Sequence, residues 1–188
     1  MTATISTPRL ELRRMNQQFL ALCLADDRTA AAQHLGCTID DEWYEVADLM
    51  QIRADQIAAD PTLVDWCLRG MVLRDEQRMV GYIGFHTKPG AAYLAPYSPG
   101  VEFGYTVFTT YRRRGYAREA SLGVMRWAHE THGVTRFVAS VSPENLPSRQ
   151  LIAGLGFVQI GGHMDEEDGW EDIYEAVYCP AAGGGSDT

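Results

Sequence analysis

The chain has 188 residues, 46% of them hydrophobic and 22% charged, so it is long enough to bury the core of one domain. Its formal net charge is -9. This charge argues against non-specific binding to nucleic acid, which needs an extended basic face. No apolar run approaches the roughly 20 residues that span a bilayer, so a membrane partner is not expected either.

The cysteines indicate reduced, mostly buried thiols. They are widely and irregularly spaced, without the CxxC pairs that a zinc site or a redox motif would need, and no metal is expected. The first residues also lack the basic-then-apolar order of a secretory signal. These two features together predict a cytoplasmic protein. The cysteines are Cys23, Cys37, Cys67 and Cys179.

The first third of the chain predicts one strand and two helices. Pro8 to Met15 alternates leucines with charged residues, which is the period of a half-buried strand. The pattern then becomes helical from Asn16, a candidate N-cap, to about Ala32. A second helix follows Asp40 or Asp41 and ends at Asp60, because the next residue is proline.

The middle of the chain predicts a hairpin, a loop and a strand. The hairpin strands are Val64 to Arg74 and Met79 to His86. Lys88 to Gly100 is rich in proline and glycine and predicts a long loop, a kind of segment that is often functional. Val101 to Phe108, VEFGYTVF, has the β-branched and aromatic composition of a strand.

The last third predicts two helices, three strands and a tail. The elements are a helix from Arg118 to His132, a strand from Arg136, a short helix from about Glu144 to Ala153, and strands at Phe157 to Gly162 and Trp170 to Tyr178. The order of elements indicates an α/β or α+β fold with a mixed, mostly antiparallel sheet and one central βαβ crossover. We expect a single domain over residues 1–179 and a disordered tail over residues 180–188.

The stretch YRRRGYAREA, Tyr111 to Ala120, concentrates positive charge between a strand and a helix. Backbone N–H groups at a helix N-terminus lack intrahelical partners and favour an anion such as phosphate. Gly115 would let the backbone approach that anion without a Cβ in the way. The alternative is a solvated basic helix start whose arginines pair with surface acids. The stretch does not match GxxxxGK[ST], the phosphate loop of NTPases.

Arg112 to Ala117, RRRGYA, matches the pattern [QR]xxGx[GA]. With TPRLELRRM near the start and GVTRFVASVSPENLPSRQLIAGLGF later, the chain resembles the GNAT superfamily of N-acetyltransferases, from about Thr7 to Tyr178. Within that superfamily it is most similar to the Rim-like branch, which includes ribosomal-protein N-terminal acetyltransferases. The resemblance implies the acyl-CoA N-acyltransferase fold, with about six or seven strands, flanking helices and a central parallel pair that splays apart.

The resemblance also implies how acetyl-CoA is bound. The pantetheine arm would contact the strand backbone at Tyr105, Thr106 and Val107. The N–H groups of Arg113, Arg114, Gly115, Tyr116 and Ala117 would take the pyrophosphate, and the arginine side chains, including that of Arg112, would reach the outer phosphates.

Two residues of the segment NLPS have both a functional and a structural interpretation. By resemblance, Asn145 would hydrogen-bond pantetheine, and Ser148 would lie near the thioester sulfur as an acid or thiolate stabiliser. Many GNAT enzymes have a tyrosine where this chain has Ser148, and serine is a poor acid. The alternative is that this stretch only caps a helix.

Glu102 is the candidate base. It lies between Val101 and Phe103 in an apolar strand, where burial would raise its pKa toward neutrality. The resemblance also implies a glutamate at this strand start, with water sometimes relaying the proton. The alternative is a surface-facing residue. His86 and His163 are lesser candidates.

The sequence therefore predicts an acetyl-CoA-dependent N-acetyltransferase that acts on a primary amine by direct attack in a ternary complex. No base stands near Cys179 that would support a covalent acetyl-enzyme. The alternative is a non-catalytic acyl-CoA-binding or regulatory module. GNAT enzymes are often dimers, so we expect a possible homodimer, although the sequence does not show which residues would form its interface.

Two segments could border the acceptor amine. One is the loop that carries Tyr93 and Tyr97, and the other is the acidic run from Asp165 to Asp168, whose carboxylates would suit a cationic amine. The alternative for the acidic run is a solvated hairpin turn.

Overall fold

The computed structural model describes residues 4–94, 98–165 and 169–178. The chain forms two compact units, the first made of Met1–Lys88 and Phe103–Val124 and the second of Pro89–Glu102 and Met125–Thr188. Within the described ranges, no helix is both long enough and apolar enough to cross a lipid bilayer. The predicted disordered tail, residues 180–188, lies outside the described residues.

The first unit is built on antiparallel strands. In β2, Leu10 and Leu12 are fully buried while Glu11 between them is partly exposed, so the predicted half-buried strand is confirmed. Each strand pairs with the next in chain order. The strands are β1 (Ile5–Ser6), β2 (Leu10–Arg14), β3 (Arg69–Leu73), β4 (Arg78–Phe85) and, from Phe103 onward, β5 (Val101–Val107).

The second unit contains the start of β5 and three further strands. Val101 pairs with Phe137 and Glu102 with Val138, and these two pairs form the parallel ladder between β5 and β6. The antiparallel neighbours then follow in the order β6, β8, β7. The strands are β6 (Arg136–Val141), β7 (Val158–Asp165) and β8 (Gly169–Val177).

The sheet is mixed and mostly antiparallel, as predicted, but it has eight strands rather than six or seven. The additional strand is β1, which has two residues and is too short to show an alternating pattern. The start of β3 was also predicted too early. Pro61–Asp65 forms a 3-10 helix that Asp60 caps by accepting a hydrogen bond from the Thr62 N–H at 3.0 Å, so the strand begins only at Arg69.

The helix predicted from Asn16 to Ala32 is two helices. Asn16 is the N-cap, as expected, and accepts a hydrogen bond from the Phe19 N–H at 2.9 Å. The chain then turns through Asp26, whose φ is 54°, and Asp27 caps the second helix through the Ala30 N–H at 3.0 Å. The helices are α1 (Gln17–Leu24), α2 (Arg28–Leu35), α3 (Ala47–Ala59), α4 (Tyr116–His132) and α5 (Leu146–Gly154).

Each unit has its own apolar cluster. In the first unit Trp43 is fully buried and stacks on Phe19 with the ring centroids 6.1 Å apart. In the second, Leu94 packs with Val138 and Ile173. The described cysteines, all in the first unit, are buried and free: Cys23, Cys37 and Cys67. The predicted burial is confirmed for these three, and burial raises the pKa of the Cys37 thiol to about 11.

Residues Phe103–Val107 of β5 pair with β4 along one edge only, among the strands that the structure describes. The Phe108 N–H donates to the Val80 carbonyl at 3.0 Å. Because antiparallel residues alternate, Tyr105 and Val107 direct their backbone groups to the other edge, while Thr106 is bonded into β4. This edge can therefore accept a ligand that carries amide groups.

Candidate functional site

The turn from Arg112 to Gly115 has an uncommon backbone conformation. It connects a 3-10 turn, Thr109–Tyr111, to the start of α4. Arg113 has φ 62° and Gly115 has φ 81°, so two residues of the left-handed region lie two positions apart. A left-handed conformation costs a residue such as arginine about 1 kcal/mol. Turns that mix left-handed and right-handed residues orient several N–H groups toward one side, which suits an anion.

Five consecutive amide N–H groups in this turn, those of Arg113 to Ala117, are free donors. Within the described part of the chain, none of them donates to a protein acceptor. Tyr116 and Ala117 are also the first residues of α4, which begins two residues earlier than the sequence predicted. Free donors and the positive end of the helix dipole therefore coincide at one exposed turn, the arrangement that binds phosphate in other proteins.

Gly115 is also required by the backbone conformation of the turn itself. A Cβ at this position would meet only the Nη2 atom of Arg9, at 3.4 Å, which is ordinary van der Waals contact. The constraint is instead the φ of 81°, a conformation that side chains other than Asn and Asp rarely adopt.

The three arginines of the turn differ in what their side chains do. Arg112 donates from Nε to the Val107 carbonyl at 3.0 Å, and Arg114 donates from Nη2 to the Thr110 carbonyl at 3.2 Å. Both side chains therefore fold onto their own backbone. The side chain of Arg113 is exposed and, within the described ranges, makes no hydrogen bond or ion pair with protein. Arg113 is the arginine best placed to meet a ligand phosphate.

Three residues that the sequence did not assign to the site hold this turn in place. Glu42 accepts hydrogen bonds from the Thr109 N–H at 2.9 and 3.0 Å, at the beginning of the turn. Arg9 donates to the Arg114 carbonyl at 2.9 Å and forms an ion pair with Glu119 at 2.7 Å.

Glu119 receives three hydrogen bonds in addition to lying at the helix start. The Thr7 hydroxyl and the Arg9 N–H each donate at 2.6 Å, and the Arg9 guanidinium donates at 2.7 Å. Burial alone would raise the pKa of the Glu119 carboxyl, but these hydrogen bonds outweigh burial and hold the pKa below its ordinary value.

We expect Glu119→Gln to lower the free energy of unfolding by about 1–2 kcal/mol at pH 7, because the charge-assisted hydrogen bonds are lost. The lowered pKa means that the charged carboxyl stabilises the folded state fully above the unfolded value of 4.5, and that this contribution disappears as pH falls through the folded value. Urea unfolding at pH 7 and pH 3.5 tests this. The difference between wild type and variant should shrink in acid. Glu130→Gln, an exposed position of the same helix, is the control.

The second unit contains the candidate base. Glu102 is only 5% exposed, so the surface-facing alternative is wrong. Its Oε2 atom accepts a hydrogen bond from the hydroxyl of Tyr93 at 2.8 Å. Tyr93 is half exposed, so it connects a buried carboxylate to the surface. The aromatic loop of the sequence prediction thus contacts the candidate base directly, although its second tyrosine, Tyr97, lies outside the described residues.

The loop that carries Tyr93 is anchored at its end. The Ser98 hydroxyl donates to Glu175, and the Gly100 N–H donates back to the Ser98 oxygen at 2.9 Å. Glu175 also forms an ion pair with Arg136 at 2.6 Å. These contacts to β6 and β8 hold the chain in place immediately before Glu102.

Asn145 caps a helix, as one of the two predicted interpretations required. Its Oδ1 atom accepts a hydrogen bond from the Ser148 N–H at 3.2 Å at the start of α5. The Asn145 side chain is exposed, and its amide nitrogen makes no hydrogen bond with the described residues, so it can still donate to a ligand. The Ser148 hydroxyl is half-buried and makes no protein hydrogen bond in the described part of the chain. Capping and ligand binding are thus compatible here.

The lesser candidate bases and the acidic run have the following positions. The ring of His86 lies against Gly104, where a Cβ would come within 2.9 Å of its Nε2 atom. The Nε2 atom of His163 is 3.9 Å from the Oε2 atom of Glu171. Of the acidic run, Asp165 ends β7, and residues 166–168 lie outside the described residues. The first unit therefore contains the turn from Arg112 to Gly115 and residues 103–107 of β5, and the second contains Glu102, Asn145 and Ser148.

Known sequences that resemble this one include two uncharacterized N-acetyltransferases of Bacillus subtilis (strain 168). The chain is 25% identical to YoaA over 164 residues, which is 86% of each protein. It is 25% identical to YnaD over 111 residues, which is 57% of this chain and 61% of that protein, so this match spans less than two thirds of the relative.

Solved structures share the fold at low identity. A protein from Bordetella pertussis assigned to the GNAT acetyltransferases has a TM-score of 0.68 at 19% identity, covering 93% of this chain and 99% of its own. RimL, a ribosomal L7/L12 α-N-protein acetyltransferase in complex with coenzyme A, has a TM-score of 0.63 at 14% identity, covering 93% and 98%. At these identities the likeness shows the fold alone.

The family model for the acetyltransferase (GNAT) domain matches residues 9–158, which include the turn from Arg112 to Gly115, Glu102 and the NLPS segment. GNAT acetyltransferases use acetyl-CoA, whose pyrophosphate suits the free donors at the start of α4. The match covers most of the sequence, and the chain therefore belongs to the GNAT acetyltransferases.

Proposed function

We propose that this protein is an acetyl-CoA-dependent N-acetyltransferase that transfers an acetyl group to a primary amine by direct attack in a ternary complex. The observation that carries the proposal is the row of five free N–H donors from Arg113 to Ala117, at the start of α4 in a member of the GNAT family. Few other ligands need so many donors at one helix end as a diphosphate does.

The chain offers a separate group for each part of acetyl-CoA. The amide groups of Arg113 to Ala117 would hold the pyrophosphate, and the exposed side chain of Arg113 would meet an outer phosphate. The backbone of Tyr105, which is directed away from β4, would hydrogen-bond the pantetheine amides. Val107 shares this edge, but its carbonyl already accepts from Arg112, so its contribution requires that side chain to move. When bound, acetyl-CoA supplies an activated thioester.

Glu102 is proposed as the base that takes the proton of the acceptor amine. Its burial in the second unit supports this role, because a desolvated carboxylate is a stronger base than an exposed one. The hydroxyl of Tyr93 orients the carboxylate through the 2.8 Å hydrogen bond. The proton reaches Glu102 directly or through one water.

Asn145 and Ser148 are proposed to serve the donor side. The amide nitrogen of Asn145 would donate to pantetheine while its oxygen caps α5. The unoccupied hydroxyl of Ser148 would hydrogen-bond the departing thiolate. Because serine is a poor acid, stabilisation of the thiolate is the role that its chemistry supports.

For the acceptor, we propose a primary amine on a protein N-terminus or a small molecule, as in the Rim-like branch. The motifs RxxGxA, NxxS and LGF support that branch, as does the likeness in fold to RimL, which acts on ribosomal L7/L12. A homodimer remains a proposal without an assigned interface.

Calorimetric titration with acetyl-CoA tests the proposal first, and saturable binding in the micromolar range is expected. Thiol release should then be followed with a panel of primary amines and peptides, with mass spectrometry of each acceptor to detect an added acetyl group. Binding without acetyl transfer to any acceptor would instead indicate a non-catalytic acyl-CoA-binding module. Absence of saturable binding would overturn the enzyme assignment itself.

A further inference from the structure

Arg9 lies far in sequence from the turn of Arg112 to Gly115 but contacts this turn once and the start of α4 twice. Its Nη1 atom donates to the carbonyl of Arg114 at 2.9 Å, and its Nε atom donates to Glu119 at 2.7 Å. Its guanidinium also covers the ring of Tyr116, 4.6 Å from the centroid. One side chain thus connects the turn, the first residue of α4 and the first-turn carboxylate.

The contact with the Arg114 carbonyl determines the direction of a donor. The peptide bond between Arg114 and Gly115 is planar and trans, so its C=O and its N–H point in opposite directions. With the carbonyl held against Arg9, the Gly115 N–H must point away from Arg9. That N–H is the middle one of the five free donors.

The contact with Glu119 removes an electrostatic conflict. Glu119 places a carboxylate in the first turn of α4, where it would repel a phosphate and compete for the positive end of the helix dipole. Three donors surround this carboxylate, two of them from Arg9 and one from Thr7. Of the two residues that supply these donors, Arg9 and Thr7, only Arg9 also carries a positive charge that compensates the Glu119 carboxylate.

We propose that Arg9 is a positioning residue for the pyrophosphate of acetyl-CoA, acting by fixing the Arg114–Gly115 peptide and by neutralising Glu119. This inference rests on the proposed function, because it assumes that the turn binds acetyl-CoA. Arg9 itself need not touch the ligand. Loss of Arg9 should therefore weaken binding only of donors that contain a pyrophosphate.

Arg13, on the strand β2 that begins directly after Arg9, provides a matched control. It also uses its guanidinium to hold backbone carbonyls, those of Leu35 and Gly36, at 3.0 and 2.7 Å, and it forms an ion pair with Glu11 at 2.6 Å. Arg13 thus makes the same kinds of contact as Arg9 but holds the end of α2 instead of the turn. If any loss of an arginine that holds backbone carbonyls weakened acetyl-CoA binding, Arg9→Ala and Arg13→Ala should weaken it equally.

The experiment compares two acyl donors, acetyl-CoA and acetyl-pantetheine, which lacks the pyrophosphate, in wild type, Arg9→Ala, Arg9→Lys and Arg13→Ala. For Arg9→Ala we expect the KM and Kd for acetyl-CoA to rise about 10- to 100-fold, as for lost charge-assisted hydrogen bonds, with kcat and the acceptor KM within about twofold. With acetyl-pantetheine, kcat/KM should not change. Arg9→Lys keeps the positive charge but loses the planar guanidinium that donates to two acceptors at once. Its KM and Kd for acetyl-CoA should lie between those of wild type and Arg9→Ala.

Two results would overturn the role of Arg9. One is unchanged acetyl-CoA affinity in Arg9→Ala, and the other is an equal loss with both donors, which indicates a merely structural residue. If Arg9→Ala does not fold, Arg9→Lys gives the same comparison. If no acceptor is known, the Kd values of CoA and of pantetheine, measured by calorimetry, replace the kinetic comparison of the two acyl donors. Failure of wild type to bind acetyl-CoA would instead sink the proposed function, so the two failures are distinguishable.

Discussion

Gly115→Asp is expected to weaken acetyl-CoA binding by about 100-fold, whereas Gly115→Asn should weaken it less than about tenfold. Asn and Asp both tolerate the left-handed conformation that Gly115 adopts, so the two variants share the backbone and nearly the same shape. They differ by one negative charge. At about 5 Å from a phosphate and an effective dielectric constant near 20, that charge costs about 3 kcal/mol.

Calorimetric Kd values for the two Gly115 variants, at low and at high salt, measure this effect. The gap between them should narrow with added salt, because an exposed turn is screened by ions. Equal affinities for the two variants would show that the pyrophosphate does not lie at this turn. Thermal unfolding of both variants checks that neither substitution disturbs the first unit.

Glu102→Gln is expected to lower kcat about 100- to 1,000-fold at pH 7, the usual contribution of a general base. The loss should shrink as pH rises toward the pKa of the acceptor amine, because an amine that is already neutral needs no base. The Kd for acetyl-CoA should not change, since Glu102 is proposed to act on the acceptor. Initial rates from pH 6 to pH 10 measure the effect.

Glu76→Gln provides the control for that profile, because Glu76 is an exposed residue of the turn between β3 and β4. It should leave rate and pH dependence within twofold of wild type. If Glu102→Gln lowers the rate by the same factor at every pH, Glu102 is not the base. The carboxylate would then have a structural role, such as holding Tyr93.

Local patterns predicted the elements that local chemistry determines. Asn16 was identified as a helix cap because its side chain needs only a neighbouring N–H, and β2 was identified from the alternation of Leu10 and Leu12. The same approach missed the break at Asp26 and Asp27, where a left-handed residue and a new cap interrupt a continuous helical pattern. It also missed β1, whose two residues are a strand only because β2 pairs with them.

The sequence by itself predicted an anion site at the start of α4, because the free N–H groups of a helix N-terminus and a neighbouring glycine are properties of a few consecutive residues. Only the tertiary structure decided what holds that turn and what is buried beside it. Arg9 and Glu119 are 110 positions apart, and the hydroxyl of Tyr93 bonds to Glu102 while Ser98, between them in sequence, bonds to Glu175 of β8. Such contacts depend on how distant segments of the chain pack together. Local sequence patterns do not contain the distances between those segments.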